Sequence, residues 1–247
     1  MIEKEILDKY LAKPDESIAV HTDKLLERLQ DLWDFSYIKD PQIKQLLEFT
    51  CNTHDYGKMN SIFQRRVIKH FKFNPKIEVG HNVLSYFLID LENIISKEDI
   101  PFVSNAVLNH HHYVDNYKVI NEQSELIIAQ LNQIFSSLGG RFLYYNVEKL
   151  VRNKSRRFLN EVYNVSIIKG ILNKCDYAAS ADIPIEIENS FLENDLDSLM
   201  QGWKANNSDF EWNELQIFCK NHQNDNLLIT APTGMGKTEA ALWWIGD

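Results

Sequence analysis

Apolar residues recur at helical spacing through most of this chain, and that pattern restricts the folds it can adopt. Leu25, Leu29 and Leu32, with Trp33 beside them, follow steps of four and three residues, which places their side chains on one helix face. Alternating patterns typical of half-buried strands are scarce before Pro184. We therefore predict an all-α domain over about the first 180 residues. The other stripes are Ile43, Leu46, Leu47 and Thr50; Leu84, Phe87, Leu88 and Leu91; Ile127, Leu131, Ile134, Phe135 and Leu138, ending at Gly139–Gly140; and Val165, Ile168, Leu172, Cys175 and Ala179.

Length and composition set the remaining bounds. The 247 residues are 44% hydrophobic, enough for one large domain with part of another. We expect no membrane span, because no apolar run reaches about 18 residues, and no signal peptide, because the N-terminus is charged. Cys51, Cys175 and Cys219 are odd in number and lack CxxC spacing, which favours reduced, buried thiols in a cytoplasmic protein.

The net charge of −9 is concentrated in one segment. Residues 182–214 hold nine acidic residues and one basic residue, Lys204, so the rest of the chain is close to neutral. Two stretches are basic, and each is either a solvated helix face or a surface that attracts a phosphate polymer. The first, residues 54–76, carries Lys58, Arg65, Arg66, Lys69, Lys72 and Lys76; the second, residues 141–158, carries Arg141, Lys149, Arg152, Lys154, Arg156 and Arg157 with Tyr144, Tyr145 and Phe158.

The end of the chain has the pattern of strand, phosphate-binding loop and helix. The apolar run Asn226–Thr230 predicts a buried strand, and Glu239–Ile245 predicts a helix. Between them, the loop from Ala231 to Thr238 would bind phosphates through its backbone N–H groups, and the Thr238 hydroxyl would bind magnesium. We interpret the chain as a fragment without ATPase activity of its own, and expect poor packing after about residue 215, with Trp243 and Trp244 uncovered. The loop residues are Thr233, Gly234, Gly236, Lys237 and Thr238.

The histidines carry the chemistry of the first domain. A lone histidine on a helix is usually structural, but His54 and Asp55 begin a His-Asp-Tyr-Gly-Lys sequence that is followed by further histidines. Adjacent His and Asp side chains diverge on a regular helix, yet they can converge on a metal pair if the carboxylate bridges two ions. Gly57 would ease the local backbone, and Lys58 could meet a phosphate.

These motifs, taken in order, resemble the HD nuclease domain of the CRISPR-associated nuclease–helicases of type I systems. They are His54-Asp55-x-Gly-Lys58, Phe63-Gln64, Gly80-His81, a His–His pair and Asp176-Tyr-Ala-Ala-Ser180, and the loop at 231–238 with Gln216 upstream resembles motif I of a superfamily 2 helicase. The resemblance implies a mainly α HD-type domain at 1–185, an acidic linker at 186–214, and at 215–247 the first strand, loop and helix of a RecA-like α/β helicase domain truncated after motif I.

The resemblance also implies a ligand set and a chemistry. One ion would be held by His54, Asp55 and Asp176 with His21 nearby, and Asp55 would bridge to a second held by His81, His110 and His111. The pair is placed at 110–111, with 111–112 as the alternative register. Asp176 could instead be a buried helix-capping residue. Two ions can activate water and stabilise both oxygens of a phosphodiester, and imidazole-rich sites favour manganese, iron, cobalt or nickel over magnesium.

Three functions compete. The first is a metal-dependent nuclease for single-stranded DNA, with Asp55 and Lys58 catalytic, delivered by an RNA-guided CRISPR surveillance complex and coupled to a helicase that uses ATP and magnesium. The second is an HD phosphohydrolase acting on small nucleotides, which the basic stretches and the helicase-type loop disfavour. The third is a degenerate scaffold, which would require a missing ligand.

Overall fold

The computed structural model describes residues 1–89, 96–111, 116–139, 147–158, 167–186 and 191–245. They form two compact units, Met1–Glu186 and Ile187–Asp247. The prediction of a mainly α fold is confirmed, because helices make up most of the described residues and their only sheet is a two-stranded antiparallel one. No helix among the described residues has the length and apolar character needed to cross a bilayer.

The first unit is a bundle of helices with one small hairpin near its start. In chain order its elements are α1 (Lys4–Leu7), β1 (Leu11–Lys13), β2 (Glu16–Ser17), α2 (Ile18–Asp34), α3 (Pro41–Thr53), a 3-10 helix (Tyr56–Met59), α4 (Ser61–Lys69), α5 (His81–Leu88), α6 (Ile100–Asn109), α7 (Asn116–Glu122), α8 (Ser124–Ser137), α9 (Val147–Phe158) and α10 (Ile167–Ala181).

The core of this unit forms where α10 packs against α2, α3 and α6. Leu172 of α10 and Leu25 of α2 are both fully buried, and each such side chain contributes about 1.5–3 kcal/mol relative to exposure. The predicted stripes are the faces that are buried, including Leu47 in α3 and Leu131 in α8. Leu91, Val165 and Gly140 lie outside the described residues.

Local signals fix where these helices begin and end. Ser17 caps α2 by accepting from the Val20 backbone N–H, and Asp40 caps α3 by accepting from Gln42 ahead of the N-terminal proline. At the other end, α8 stops at Ser137, and Gly139 then adopts a φ of 66°, as the glycine pattern predicted.

The second unit consists of α11 (Phe191–Asn206), α12 (Glu214–Asn221) and α13 (Lys237–Trp244). The prediction that Trp243 lacks cover is wrong: it is 1% exposed, Trp212 meets it edge-on with 5.6 Å between ring centroids, and the Lys220 ammonium lies 3.7 Å from its ring centroid. Trp244 is partly exposed and donates to the Asp225 carbonyl. The pairing of α12 with α13 supplies the cover.

The strand predicted at Asn226–Thr230 is not formed, and Leu228 is 98% exposed. A strand needs a neighbour to complete its backbone hydrogen bonds, and the described part of this unit contains no other strand. The helix predicted after the loop is confirmed as α13. The three-part division at 1–185, 186–214 and 215–247 stays a prediction, although much of the acidic segment is helical in α11.

Candidate metal centre

Helix ends bring the candidate ligands together in the first unit. His54 is the residue after α3, Asp55 precedes the 3-10 helix, His81 begins α5, and His110 and His111 follow α6. Two ligands come from within helices: His21 lies in the first turn of α2, and Asp176 lies in α10.

The ligand atoms form two groups. Nitrogen or oxygen atoms of His21, His54 and Asp55 all lie within 4.8 Å of one another, and nitrogens of His81, His110 and His111 do the same. Asp176 adjoins the first group, because its Oδ1 lies 3.0 Å from His21 Nε2. The structure therefore gathers all seven predicted ligands in one place; His112, the alternative member of the histidine pair, lies outside the described residues.

Asp55 lies between the two groups and is 2% exposed. Its Oδ2 is 3.7 Å from His21 Nε2 and 3.5 Å from His54 Nε2, whereas its Oδ1 is 3.3 Å from His81 Nε2. Lys58 Nζ approaches Oδ2 to 2.7 Å as an ion pair, yet neither oxygen has an aligned hydrogen bond among the described residues. A buried carboxylate without such bonds is costly, and a divalent cation on each oxygen would satisfy it.

Backbone carbonyls orient two of the imidazoles. His54 Nδ1 donates to the Cys51 carbonyl at 2.9 Å, and His110 Nδ1 donates to the Val107 carbonyl at 2.7 Å. A carbonyl only accepts, so Nδ1 of each ring carries a hydrogen and Nε2 faces the centre. This is the arrangement of metal-ligating histidines, whose second nitrogen is held by an outer partner.

The Nε2 atoms of the second group converge closely. His81 Nε2 is 3.0 Å from that of His111 and 3.4 Å from that of His110. Burial lowers the pKa of His81 to about 4 and also lowers the pKa of His110 and His111, so all three rings are neutral near pH 7. A single N–H on His81 Nε2 cannot point at both of the other Nε2 atoms. At least one pair of nitrogens therefore meets lone pair to lone pair. A shared cation relieves that repulsion, and the donor set fits a borderline transition metal.

The two carboxylates stay ionised despite their burial. Burial by itself would raise the pKa of Asp55, but His54, Lys58 and His81 hold it well below its usual range. Burial likewise opposes ionisation of Asp176, and its hydrogen bond with His21 lowers its pKa below the ordinary value. The centre therefore combines anionic oxygens with the neutral imidazoles of His81, His110 and His111, a protonation state suited to binding a metal.

Gly57 serves close packing rather than an unusual backbone angle. A Cβ at this position would lie 2.0 Å from the His81 carbonyl oxygen and 2.8 Å from Leu84 Cβ, and the Gly57 N–H donates to Ser85 Oγ at 2.8 Å. The 3-10 helix thus lies directly on the start of α5. This contact sets the position of Asp55 relative to His81. Glycine is needed here because there is no room for a side chain, and not, as expected, because the local backbone angles require it.

Glu16 is a member of the site that the sequence reasoning missed. It is 9% exposed, and its Oε1 lies 3.1 Å from His21 Nδ1. Lys13 and Lys24 lie within 3.2 Å and 2.8 Å of its oxygens. Burial opposes its ionisation, but these two lysines lower its pKa, so an anionic carboxylate holds the outer face of His21. Only the helical cap at Ser17 hinted that this carboxylate adjoins the first turn of α2.

The predicted phosphate loop lies in the second unit and is largely exposed. Gly234 and Gly236 have φ angles of 85° and 68°, which favour glycine, and Gly236 precedes α13. Lys237 Nζ donates to the carbonyls of Ala231 and Pro232. Thr233 and Thr238 are exposed, and Gln216 Nε2 donates to the Gly236 carbonyl, as expected of a residue that adjoins this loop.

Comparison with known proteins decides the family. The family described as "Cas3, HD domain" matches residues 15–181, more than half of the chain. The chain belongs to this HD-domain family. The resemblance predicted from the motifs is thereby confirmed, and membership implies a metal-dependent phosphohydrolase of CRISPR systems.

A curated relative supports the same assignment. The CRISPR-associated nuclease/helicase Cas3 of Methanothermobacter thermautotrophicus is 21% identical to this HD domain and its C-terminal extension over 257 residues, covering 97% of the chain. The chain spans only 27% of that relative's length. No solved structure matches the chain significantly.

Proposed function

We propose that this HD domain hydrolyses phosphodiester bonds in single-stranded DNA with two divalent transition metal ions. The observation that carries the proposal is the position of Asp55, whose two oxygens face two separate groups of histidines. A carboxylate in that position is suited to bridge a pair of ions, whereas a single-ion site would leave one group of imidazoles without a role.

Each group of ligands would hold one ion, with His21, His54, Asp55 and Asp176 on one side and Asp55, His81, His110 and His111 on the other. When bound, the ions supply an activated water and neutralise charge on the phosphoryl oxygens. The surrounding residues fix the imidazoles through Cys51, Val107 and Glu16, and the Nε2 atoms of His54 and His110 are already directed inward.

Lys58 would bind substrate beside the ions. Its side chain is 13% exposed and its ammonium lies 2.7 Å from Asp55 Oδ2, so it faces both the buried carboxylate and the solvent side of the centre. A compact ammonium in this position can meet a non-bridging phosphate oxygen. No side chain needs to act as a covalent nucleophile.

The cellular setting follows from the family and from the resemblance. We propose that the domain acts in CRISPR interference, on the DNA strand displaced by an RNA-guided surveillance complex, in the cytoplasm. In a longer protein, the loop at Lys237 and Thr238 would belong to an ATP- and magnesium-dependent helicase that supplies single-stranded DNA. These assignments rest on the motifs and on the similarity to the nuclease/helicase of Methanothermobacter thermautotrophicus.

A nuclease assay on circular single-stranded DNA tests the proposal. The chain is incubated with EDTA, Mg²⁺, Mn²⁺ or Ni²⁺, beside Asp55→Ala and the control Asp34→Ala, which alters an exposed aspartate in α2. We expect cleavage with Mn²⁺ or Ni²⁺, loss with EDTA and loss in Asp55→Ala only. Absence of cleavage with every metal, or equal cleavage by Asp55→Ala, contradicts the proposal. Turnover of mononucleotides without polymer cleavage would favour the small-nucleotide phosphohydrolase.

A further inference from the structure

The end of α4 and the segment after it expose aromatic and basic side chains together. Every residue from Ile68 to Ile77 is exposed, with Phe71 at 60% and Phe73 at 45%. Ile68 and Ile77 are exposed as well, so the two rings belong to a contiguous exposed apolar segment, and such patches mark interaction sites when they are bordered by polar residues. We define the aromatic–basic surface by Arg65, Lys69, Phe71, Lys72 and Phe73.

The charge of this region identifies the partner's chemistry. Residues 56–77 contain six lysines and arginines and no acidic residue, in a chain whose net charge is −9. Such a segment attracts a polyanion. The exposed rings discriminate further, because they can stack on unpaired bases, whereas duplex bases are already stacked and offer only their edges. Single-stranded nucleic acid is therefore the occupant that matches both features.

A series of ring and cation contacts links this surface to the metal centre. The Phe63 ring lies 5.5 Å from that of His81, and the Arg66 guanidinium lies 4.7 Å from the Phe63 centroid and 6.0 Å from that of Phe73. Both oxygens of Glu78 accept from Arg66 Nε, at 3.0 Å and 2.9 Å, and hold it in place. The surface thus begins three contacts away from a metal ligand.

A groove lies against α4. It has a volume of about 480 Å³ and is lined by Lys9, Tyr10, Arg65, Ile68 and Lys69, together with polar side chains such as Gln64. Basic side chains beside an aromatic ring are also found in grooves that follow a single strand. Arg65 and Lys69 belong both to the groove and to the aromatic–basic surface, so one strand could contact both.

We propose that the aromatic–basic surface captures single-stranded DNA and directs it to the metal centre. Phe71 and Phe73 stack on bases, and Arg65, Lys69 and Lys72 bind the phosphates between them. The inference rests on the proposed nuclease function for its purpose, but binding to the surface can be measured without cleavage. It identifies residues that select a polymer over a small nucleotide at the same centre.

Fluorescence anisotropy with the 247-residue chain and a labelled oligothymidine of about 30 nucleotides, in EDTA, tests the binding. We expect the double variant Phe71→Ala/Phe73→Ala to raise Kd at least about fivefold. Phe71→Leu/Phe73→Leu should behave similarly, because leucine keeps apolar area without stacking. Lys69→Ala/Lys72→Ala should reduce the slope of log K against log salt by about 1.4.

The matched control is Phe35→Ala/Lys39→Ala, which removes another exposed phenylalanine, 50% accessible, and an exposed lysine. Phe35 follows α2 about 20 Å along the helix from His21. We expect its Kd to stay within about twofold of the unaltered chain. Unchanged binding in the phenylalanine variants, an equal loss in the control, or an equal loss for duplex DNA would overturn the proposal.

Hydrolysis of bis(p-nitrophenyl) phosphate separates this inference from the proposed function. The compound has no bases, so the aromatic and lysine variants should hydrolyse it at the rate of the unaltered chain, while Asp55→Ala should not. If hydrolysis requires Asp55 but oligothymidine binding does not depend on Phe71 and Phe73, only the proposed role of the aromatic–basic surface is contradicted. If the unaltered chain cleaves neither this compound nor circular single-stranded DNA with any metal, the nuclease proposal fails, and the anisotropy result stands by itself.

Discussion

Replacing Glu16 tests whether a carboxylate outside the ligand set controls the metal centre. Glu16→Ala removes the partner of His21 Nδ1 at 3.1 Å, and with it the restraint on the ring and on its tautomer. His21 Nε2 lies 3.0 Å from Asp176 and 3.7 Å from Asp55, so a rotated or re-protonated ring would disturb three members of the first group at once. We therefore expect weaker metal binding although no ligand is removed.

The expected loss of metal affinity in Glu16→Ala follows from comparable residues that hydrogen-bond the second nitrogen of metal-bound histidines. Their removal weakens metal binding by about 10- to 100-fold. That range corresponds to about 1.4–2.7 kcal/mol. Glu16→Gln should cost less than the alanine variant, because the amide oxygen can still accept from Nδ1 while the ion pairs with Lys13 and Lys24 are lost. Asp182→Asn is the matched control, since Asp182 also pairs with Lys24, at 3.1 Å, but does not contact His21.

Titration calorimetry with Mn²⁺ measures the affinity, and nitrogen NMR of the imidazoles reports which ring nitrogen of His21 carries the proton. We expect a protonated Nδ1 facing Glu16 in the unaltered chain, and in Glu16→Ala a shift toward the form that carries its hydrogen on Nε2, facing Asp176. Mn²⁺ affinity in Glu16→Ala within about twofold of the unaltered chain would refute this role of Glu16. So would an equal loss in Asp182→Asn, because the effect would then come from the lysines.

Four further outcomes are expected. Gly57→Ala should lower the free energy of unfolding by about 1–3 kcal/mol or more in urea titrations, because the added Cβ would meet the His81 carbonyl. The control Gly170→Ala should not destabilise the chain, since a Cβ at Gly170 has no neighbour within 4 Å. Thermal melts should show stability falling as the pH drops from about 6.5 to 4, because unfolded His81 binds a proton that its folded form, with a pKa of about 4, excludes; the lowered pKa of Asp55 continues the loss below that range. Lys154→Met should destabilise the chain by about 2 kcal/mol in the same urea assay, because Lys154 Nζ donates to the carbonyls of Tyr86 and Ile89 at the end of α5. Mn²⁺ at a hundred times its Kd should raise the free energy of unfolding by about 2.7 kcal/mol for each ion bound, and EDTA should reverse the gain.

The sequence predicted α2, α3, α5, α8 and α10 because their signals are local, whereas α11 lies in the segment predicted as a linker. Spacing of apolar residues, caps such as Ser17 and Asp40, and the glycine after α8 each act within a few residues. The set of candidate ligands was also accessible, because the motif around His54 and Asp55 is compact and the other members follow it in order. Their proximity is observed; their binding of metal stays a prediction.

Other features depended on contacts between distant residues. Glu16 reaches His21 through the turn from β2 into α2, and nothing in its neighbours marks it as different from other surface carboxylates. The reason for Gly57 is the His81 backbone, 24 positions away in the sequence. Trp243 is covered by Trp212, an interaction that no local pattern encodes. The strand at 226–230 was predicted from apolar content, but a strand also needs a partner.

Helix ends also explain how adjacent histidine and aspartate side chains can converge on one centre. The last carbonyls of an α-helix have no intrahelical partner, and His54 and His110 each follow a helix and use such a carbonyl to anchor Nδ1. The same hydrogen bond therefore completes the helix end and directs a ligand. Because α3 stops at Thr53, Asp55 leaves the helical path and turns toward His81 instead of pointing away from His54. A change that extended α3 by one turn would remove the contact of His54 with the helix end, the orientation of its ring and the position of the Asp55 carboxylate together.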